Sequence, residues 1–272
     1  MIRPVALSEV VDENRFGGKA VSLGRSLRDR LPVPDGFGLE VDIVDEIARN
    51  GSAAAESCDA MLRTLGGRVA VRSSAVGEDA KDASFAGQHT TILNAASVES
   101  VIHAIAEVHH SAHTASALAY RERMNIAGPP RIAVVVQRLV DADCAGVLFT
   151  RNPTTGARER IIEAAWGLGE VVVSGAVVPD SYRLDPDGRI LERTIGVKDV
   201  ALRLHASGGT TEVVIDDERA HAAVLTDSAL VRLHELTLRC EAVFGMDLDI
   251  EWAFEGDDLY LLQCRAITRG GA

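Results

Sequence analysis

The sequence predicts an α+β fold of two mixed lobes meeting at a central cleft. Three features carry that expectation. Helical and strand-like segments are interleaved up to residue 128, a Gly128-Pro129-Pro130 break follows, and from Arg131 onward short apolar or alternating runs are separated by Gly, Asp and Pro turns. The expected lobes are residues 1–128 and 129–272. A chain of 272 residues can supply the core of one large domain or two packed lobes, and 47% hydrophobic against 25% charged residues excludes a disordered chain.

The first forty residues read as a helix and a loop. FGGKAVSLGRSLRDRL has apolar positions near helical spacing and then Pro and Gly punctuation, which puts Lys19 at a helix start. Residues 41–66 are helical with a weak break at Asn50, Gly51 and Ser52. RVAVRSSA is a buried strand with Arg72 near its end. The stretch ASFAGQHTTILNA is a glycine loop leading into a strand, and residues 97–126 are Ala-rich and helical. Strands are expected in RIAVVVQRLV, CAGVLFT, RERIIEAAWGLGE, SYRLDPDGRILERTIGVK and TEVVID. Residues 226–245 return to helical spacing through Leu230, Leu233, Leu236 and Val243, and DLDIEWAF and LYLLQCRAI close the chain as two strands.

Charge and composition narrow the function classes. The net charge of -12 repels nucleic acid and anionic membrane. No run approaches 18 apolar residues, and acids stand in the N-terminal MIRPVALSEVVDEN where a signal peptide needs an apolar stretch, so a soluble, unexported, cytoplasmic protein is expected. Cys58, Cys144, Cys240 and Cys264 are far apart and lack CxxC spacing, which fits a reducing compartment. Only Lys19, Lys81 and Lys198 among 28 basic residues are lysine. In a chain so rich in arginine, a lysine is a candidate for a place that needs a compact point charge, the alternative being chance survival.

The closing strands carry the sharpest physical argument. Alternation puts Ile250, Trp252 and Phe254 on one face and Asp249 and Glu251 on the other. Tyr260, Leu262 and Cys264 separate likewise from Gln263 and Arg265. Burial favours the register that gathers the six apolar residues, and this brings Asp249, Glu251, Gln263 and Arg265 onto one patch, with Asp249 opposite Arg265 and Glu251 opposite Gln263. That register requires three loop residues, or a bulge, within Phe254 to Leu259. Two readings of the patch stand at this point: a divalent-cation and phosphate site, or a salt-bridged exposed sheet face.

Five segments, in order, resemble one family: GGKAVSLG (17–24), VAVRSSAVGEDAKDASFAGQHTTILN (69–94), VVVQRLVDADCAGVLFTRNP (134–153), EAAWGLGEVVVSGAVVPDSY (163–182) and DIEWAFEGDDLYLLQCRAIT (249–268). This is the ATP-grasp, ATP-binding module of phosphoenolpyruvate synthase, pyruvate phosphate dikinase and rifampin phosphotransferase. The resemblance runs from about Phe16 to Thr268. It implies an ATP-grasp fold with ATP and Mg2+ as cofactors. Lys19, Arg72 and Arg265 would be the catalytic, phosphate-contacting residues. Gly87 and Gln88, in SFAGQ, would belong to a glycine loop over the phosphates. Gln137, Arg138, Leu139 and Val140 would form the hinge whose backbone meets the adenine edge. Glu251 and Gln263 would be metal ligands, with Asp249 as a supporting partner.

Family members pass phosphate through a histidine on a separate swivelling domain and on to an acceptor in a third domain. The chain ends just after Thr268, so both are expected to lie elsewhere. SAHTASA, around His113, superficially matches the carrier motif but lacks its preceding glycines, and His109 and His113 fit a solvated helix face better than a metal pair. The segment between Glu40 and Arg68 is shorter than usual in the family. The expected function is phosphoryl transfer from Mg-ATP to a histidine on a separate carrier subunit or to a small molecule. The alternatives are a self-contained kinase or acyl-phosphate ligase and a non-catalytic ATP sensor. Retention of Lys19, Arg72, Glu251, Gln263 and Arg265 speaks against the sensor.

Overall fold

Strand β5, Ile132–Arg138, shows how the chain divides its apolar residues. In IAVVVQR the side chains of Val134 and Val136 enter one core and Val135 enters another, so a nearly continuous apolar run marks a strand buried on both faces. The computed structural model describes residues 2–49, 51–77, 90–123, 126, 128–245 and 247–267. Around β5 it builds a five-stranded sheet from β1 (Val5–Ala6), β2 (Gly36–Leu39), β3 (Val69–Ala75) and β4 (Thr91–Ala95), in the order β1-β2-β5-β3-β4 with all neighbours antiparallel.

One face of this sheet is covered by α2 (Val41–Arg49), α3 (Ala55–Thr64) and α4 (Val98–Ser111), with Val44, Ile47, Met61, Ile105 and Val108 packed on Val69, Val71 and Val136. Ser97 and Ser100 form a reciprocal cap at the start of α4. The expected single helix over 97–126 is two, because the chain breaks at residues 112–114 before α5 (Ala115–Arg123). The other face carries α1 (Glu13–Arg28), whose Phe16, Ala20 and Leu23 share a core with the second sheet.

The second sheet is also fully antiparallel: β6 (Cys144–Phe149), β7 (Arg160–Trp166), β8 (Asp180–Leu184), β9 (Ile190–Thr194), β12 (Leu248–Glu255) and β13 (Asp258–Ala266), in the order β13-β12-β6-β7-β8-β9. A short helix, α6 (Glu170–Val173), follows β7. A separate ribbon, β10 (Val200–Leu204) with β11 (Thr210–Val214), precedes α7 (Asp217–Ala220) and α8 (Asp227–Phe244). Leu230, Leu233, Leu236 and Cys240 of α8 fill the core beneath Ile162, Tyr182, Ile250 and Trp252. No helix among the described residues is long and apolar enough to cross a membrane.

The first sheet extends past residue 128, since β5 pairs with β2 and β3, and the passage between sheets falls after Arg138. The closing hairpin keeps the expected pairs Asp249–Arg265 and Glu251–Gln263, but its turn has two residues, Gly256 and Asp257, between Glu255 and Asp258. Parity is restored deeper in the strand, where the register shifts after Glu251 and Trp252 pairs with Leu261, leaving Leu262 as the extra residue. Consequently Leu261, not Tyr260 or Leu262, joins Ile250, Trp252, Phe254 and Cys264 in the main core. Tyr260 and Leu262 turn to the opposite face and pack near Val140 and Ala253.

Candidate active site

Each polar residue of the cleft is placed by strand or helix geometry. On β3, Val69, Val71 and Ala75 face the helical layer, so Ala70, Arg72 and Ser74 face the other way. Ser74 anchors α1: its Oγ accepts from the backbone N–H of Ala20 at 3.0 Å. Gly17 makes this close approach possible, since it has φ of +75° and a Cβ there would lie 2.2 Å from the Ser74 carbonyl oxygen. The helical path resumes just beyond it, and Lys19, 7% exposed, stands in that first turn at the cleft wall.

From the second sheet, Glu251 of β12 and Gln263 and Arg265 of β13 face the same cleft. The Arg72 guanidinium spans the gap between lobes. Its Nη2 donates to Glu251 Oε2 at 2.7 Å and to Gln263 Oε1 at 3.2 Å, and its Nη1 donates to the carbonyl of the bulged Leu262 at 2.6 Å. Two side-chain oxygens from neighbouring strands therefore converge on one point. Arg265 donates through Nε and Nη2 to Asp249 Oδ2 at 2.9 and 2.7 Å. Burial raises the Asp249 carboxyl above its ordinary range, with Arg265 opposing the rise.

These groups border a cavity of about 520 Å³. Lys19, Arg72, Gln137, Arg138, Leu139, Val140, Glu251, Gln263 and Arg265 all line it. Gly87 and Gln88, with Lys81, lie outside the described residues; Thr90 and Thr91 just beyond them border the cavity. Its polar end gathers Lys19, Arg72, Glu251, Gln263 and Arg265. Its apolar end is built from Leu93, Val140, Ala142, Ala145, Leu168, Ala253 and Leu262.

Residues 137–139 make their hydrogen bonds largely within the first lobe. The Gln137 amide turns to Pro34, donating to its carbonyl at 3.0 Å, and the backbone N–H groups of Arg138 and Leu139 donate to the carbonyls of Asp35 and Arg68. Those two donors are engaged within the lobe, which leaves the end of the segment, toward Val140, as the part able to meet a base edge. Arg138 lies over the Tyr260 ring at 4.8 Å and donates to Glu255 at 3.4 Å, tying the hinge to the closing hairpin.

Glu170 is a cleft residue that the sequence reading missed. It begins α6 directly after the Gly167-Leu168-Gly169 turn, and burial raises its carboxyl pKa; nearby Arg72 opposes the rise and Glu251 adds to it. The turn before it needs glycine: Gly167 has φ of +78°, and a Cβ there would lie 2.4 Å from the Leu202 carbonyl oxygen. His109 and His113 are held by hydrogen bonds to neighbouring groups. His109 Nε2 meets Asp45 Oδ1 at 3.0 Å and His113 Nδ1 meets the His109 carbonyl, and no group of three or more His, Cys, Asp or Glu among the described residues could hold a metal ion.

Comparison with known proteins gives an independent observation. Residues 39–272 match the model of the pyruvate phosphate dikinase AMP/ATP-binding domain family. A probable phosphoenolpyruvate synthase from Methanothermobacter thermautotrophicus is 34% identical over 321 residues, covering 100% of this chain and 47% of that protein. A rifampicin phosphotransferase from Streptomyces sviceus is 42% identical over 229 residues, covering 83% of this chain and 26% of that protein. The chain thus spans less than half the length of these curated relatives. Among solved structures, a D-alanine–D-alanine ligase from Bacillus anthracis complexed with ATP is similar over 97% of this chain and 58% of that one, with 11% identity and a TM-score of 0.39.

Proposed function

The chain belongs to the pyruvate phosphate dikinase AMP/ATP-binding domain family, and from that premise we propose that it binds magnesium ATP between its lobes and transfers a phosphoryl group. The observation that carries the reading is one cavity with a cationic and oxygen-rich end and an apolar end. That polarity suits a nucleotide: phosphates at Lys19, Arg72 and Arg265, base against Val140, Ala145, Leu168 and Leu262.

The donor set also suits magnesium, which takes few protein oxygens and completes its octahedron with phosphate and water. Glu251 and Gln263 would hold the ion, with the Arg72 guanidinium that bridges their oxygens turning to phosphate in exchange; bound there, the ion would supply neutralisation of phosphate charge. Lys19 and Arg265 stabilise charge developing on the transferring group, and Arg72, with its fork already aimed between the lobes, aligns phosphate oxygens. In this scheme the bond to the leaving phosphate breaks as the bond to the acceptor forms, and no side chain of this chain becomes covalently modified. Glu170 borders the same cavity close to Arg72 and Glu251.

The acceptor in this proposal is a histidine on a separate carrier domain or subunit, with a small molecule as the second possibility. Burial of all four cysteines as free thiols suits a reducing, cytoplasmic setting. The test is to follow labelled ATP with the chain alone, with a phosphohistidine carrier domain, and with small carboxylate or hydroxyl acceptors. Slow turnover alone and marked stimulation by one acceptor are expected, because in-line transfer needs a positioned acceptor and excluded water. Rapid hydrolysis indifferent to every acceptor would make the protein an ATPase instead.

A further inference from the structure

Asn94 lies in the stretch of β4 where the register against β3 shifts, and it combines three features. It is 1% exposed, its backbone has φ of +59°, and its side-chain amide crosses from the first sheet to the β10–β11 ribbon. The Nδ2 group donates to the carbonyls of His205 and Gly209 at 2.8 and 2.6 Å, while the Gly209 N–H donates back to the Asn94 carbonyl at 3.0 Å. Two carbonyl acceptors on one side of the amide fix its orientation, since an oxygen there would face two oxygens. The Oδ1 atom is left buried without a hydrogen-bond partner. A left-handed backbone and an unsatisfied acceptor are both unfavourable, and both sit where the first lobe grips the turn of the ribbon.

That ribbon leads to the apolar end of the cleft. Leu202 and Leu204 of β10 pack with Leu93, the residue before Asn94, and with Val140, Ala142 and Leu168. Two further links hold the ribbon to the second lobe. Arg203 Nη1 donates to the Ala142 carbonyl at 2.8 Å, and the Leu168 N–H donates to the Leu202 carbonyl at 3.0 Å. The ribbon is therefore a strap, pinned at its turn to β4 and along β10 to the hinge loop and the segment after β7, and its leucines back the wall that lines the cavity.

We propose that Asn94 is a positioning residue for base binding: by pinning the β10–β11 turn to β4 it sets the spacing of the apolar walls between which the base of the nucleotide lies. This rests on the nucleotide-cleft reading above. Asn94 touches the strap rather than the ligand, so its loss changes the base end of the cleft and leaves the phosphate end intact.

The test uses the full 272-residue chain. Calorimetric titrations with ATP and with inorganic tripolyphosphate, both in magnesium, are compared for the native chain, Asn94→Gly and Arg203→Met. Glycine keeps the positive φ and removes only the amide clamp; the arginine variant releases one of the two links along β10 and carries the test of the strap should Asn94→Gly fail to fold. The expected result is about tenfold weaker ATP binding with tripolyphosphate affinity essentially unchanged. Native-like ATP affinity in a folded variant overturns the proposal, and so does an equal loss for both ligands, which would mark a merely structural role. Failure of the native chain itself to bind ATP would instead remove the nucleotide reading.

Discussion

Arg72 uses its guanidinium as a fork, with three acceptors on two nitrogens at the junction of the lobes, and an ammonium cannot reproduce that geometry. Arg72→Lys and Arg265→Lys are each expected to lower turnover by about 10²- to 10³-fold, the usual range for losing one transition-state donor. Steady-state kinetics check this, and near-normal turnover in both variants would remove the clamp role. Two of the three lysines lie among the described residues, and both are buried. Lys19 lies in the cleft, and Lys198 is fully buried against Asp180 at 2.5 Å, with Nζ also donating to the Gly196 carbonyl. Asp180 is satisfied by the Tyr182 hydroxyl and the N–H groups of Gly196 and Val224. Removing one member leaves the other charge buried, so Lys198→Met should cost about 3–5 kcal/mol in urea unfolding, far beyond the ~1 kcal/mol of a surface pair. A loss under about 1 kcal/mol would show that the site relaxes or hydrates. Glu170 was not legible because nothing in WGLGE says which wall the carboxylate will meet. Glu251 and Gln263 were legible because strand alternation and burial fix their shared face.

Elements with long periodic patterns, such as α8, were readable from local sequence. Those held by neighbours were not. β1 has two residues, and β2, GFGL, has the look of a loop; both exist because β5 offers an edge to which β2 pairs and on which β1 then builds. The hairpin bulge escaped for a related reason: parity demanded an extra residue, but its position depends on which carbonyl the facing lobe needs, and Arg72 takes that of Leu262. On the outer side of the second lobe, β7 is tied to α8 by Arg160, which pairs with Glu241 through two 3.0 Å bonds and donates from Nε to His234 Nδ1 at 3.2 Å. Burial first, then the charge of Arg160, lowers the His234 pKa from 6.5. The folded protein therefore favours neutral His234, and the unfolded chain takes up a proton first as pH falls. This contribution is complete above the ordinary pKa of 6.5 and is lost as pH drops from there through the lowered folded value. Urea midpoints should fall between about pH 7 and about pH 5 in the native chain and fall less in His234→Gln. An identical pH slope in the variant would assign the effect to other groups.

At the scale of the whole molecule, two antiparallel sheets share α1 as a wedge, and the groups for one ligand are drawn from both. The interleaved segments and turn signals pointed to two mixed lobes, and strand alternation put Glu251 beside Gln263, but the convergence of Lys19 and Arg72 with Glu251 and Gln263 required the lobes to be assembled. The ordered motifs carried that assembly only through the family resemblance, since no local pattern encodes a contact such as Arg72 to Glu251, 179 residues apart. The proposed cleft holds a nucleotide through a cation on Glu251 and Gln263. It is tested most directly by titrating ATP with and without magnesium into the native chain, Glu251→Ala and Gln263→Ala. Magnesium should strengthen binding to the native chain, and each substitution should abolish most of that gain while barely changing metal-free binding. Equal losses with and without magnesium would contradict it and take both residues out of the metal site.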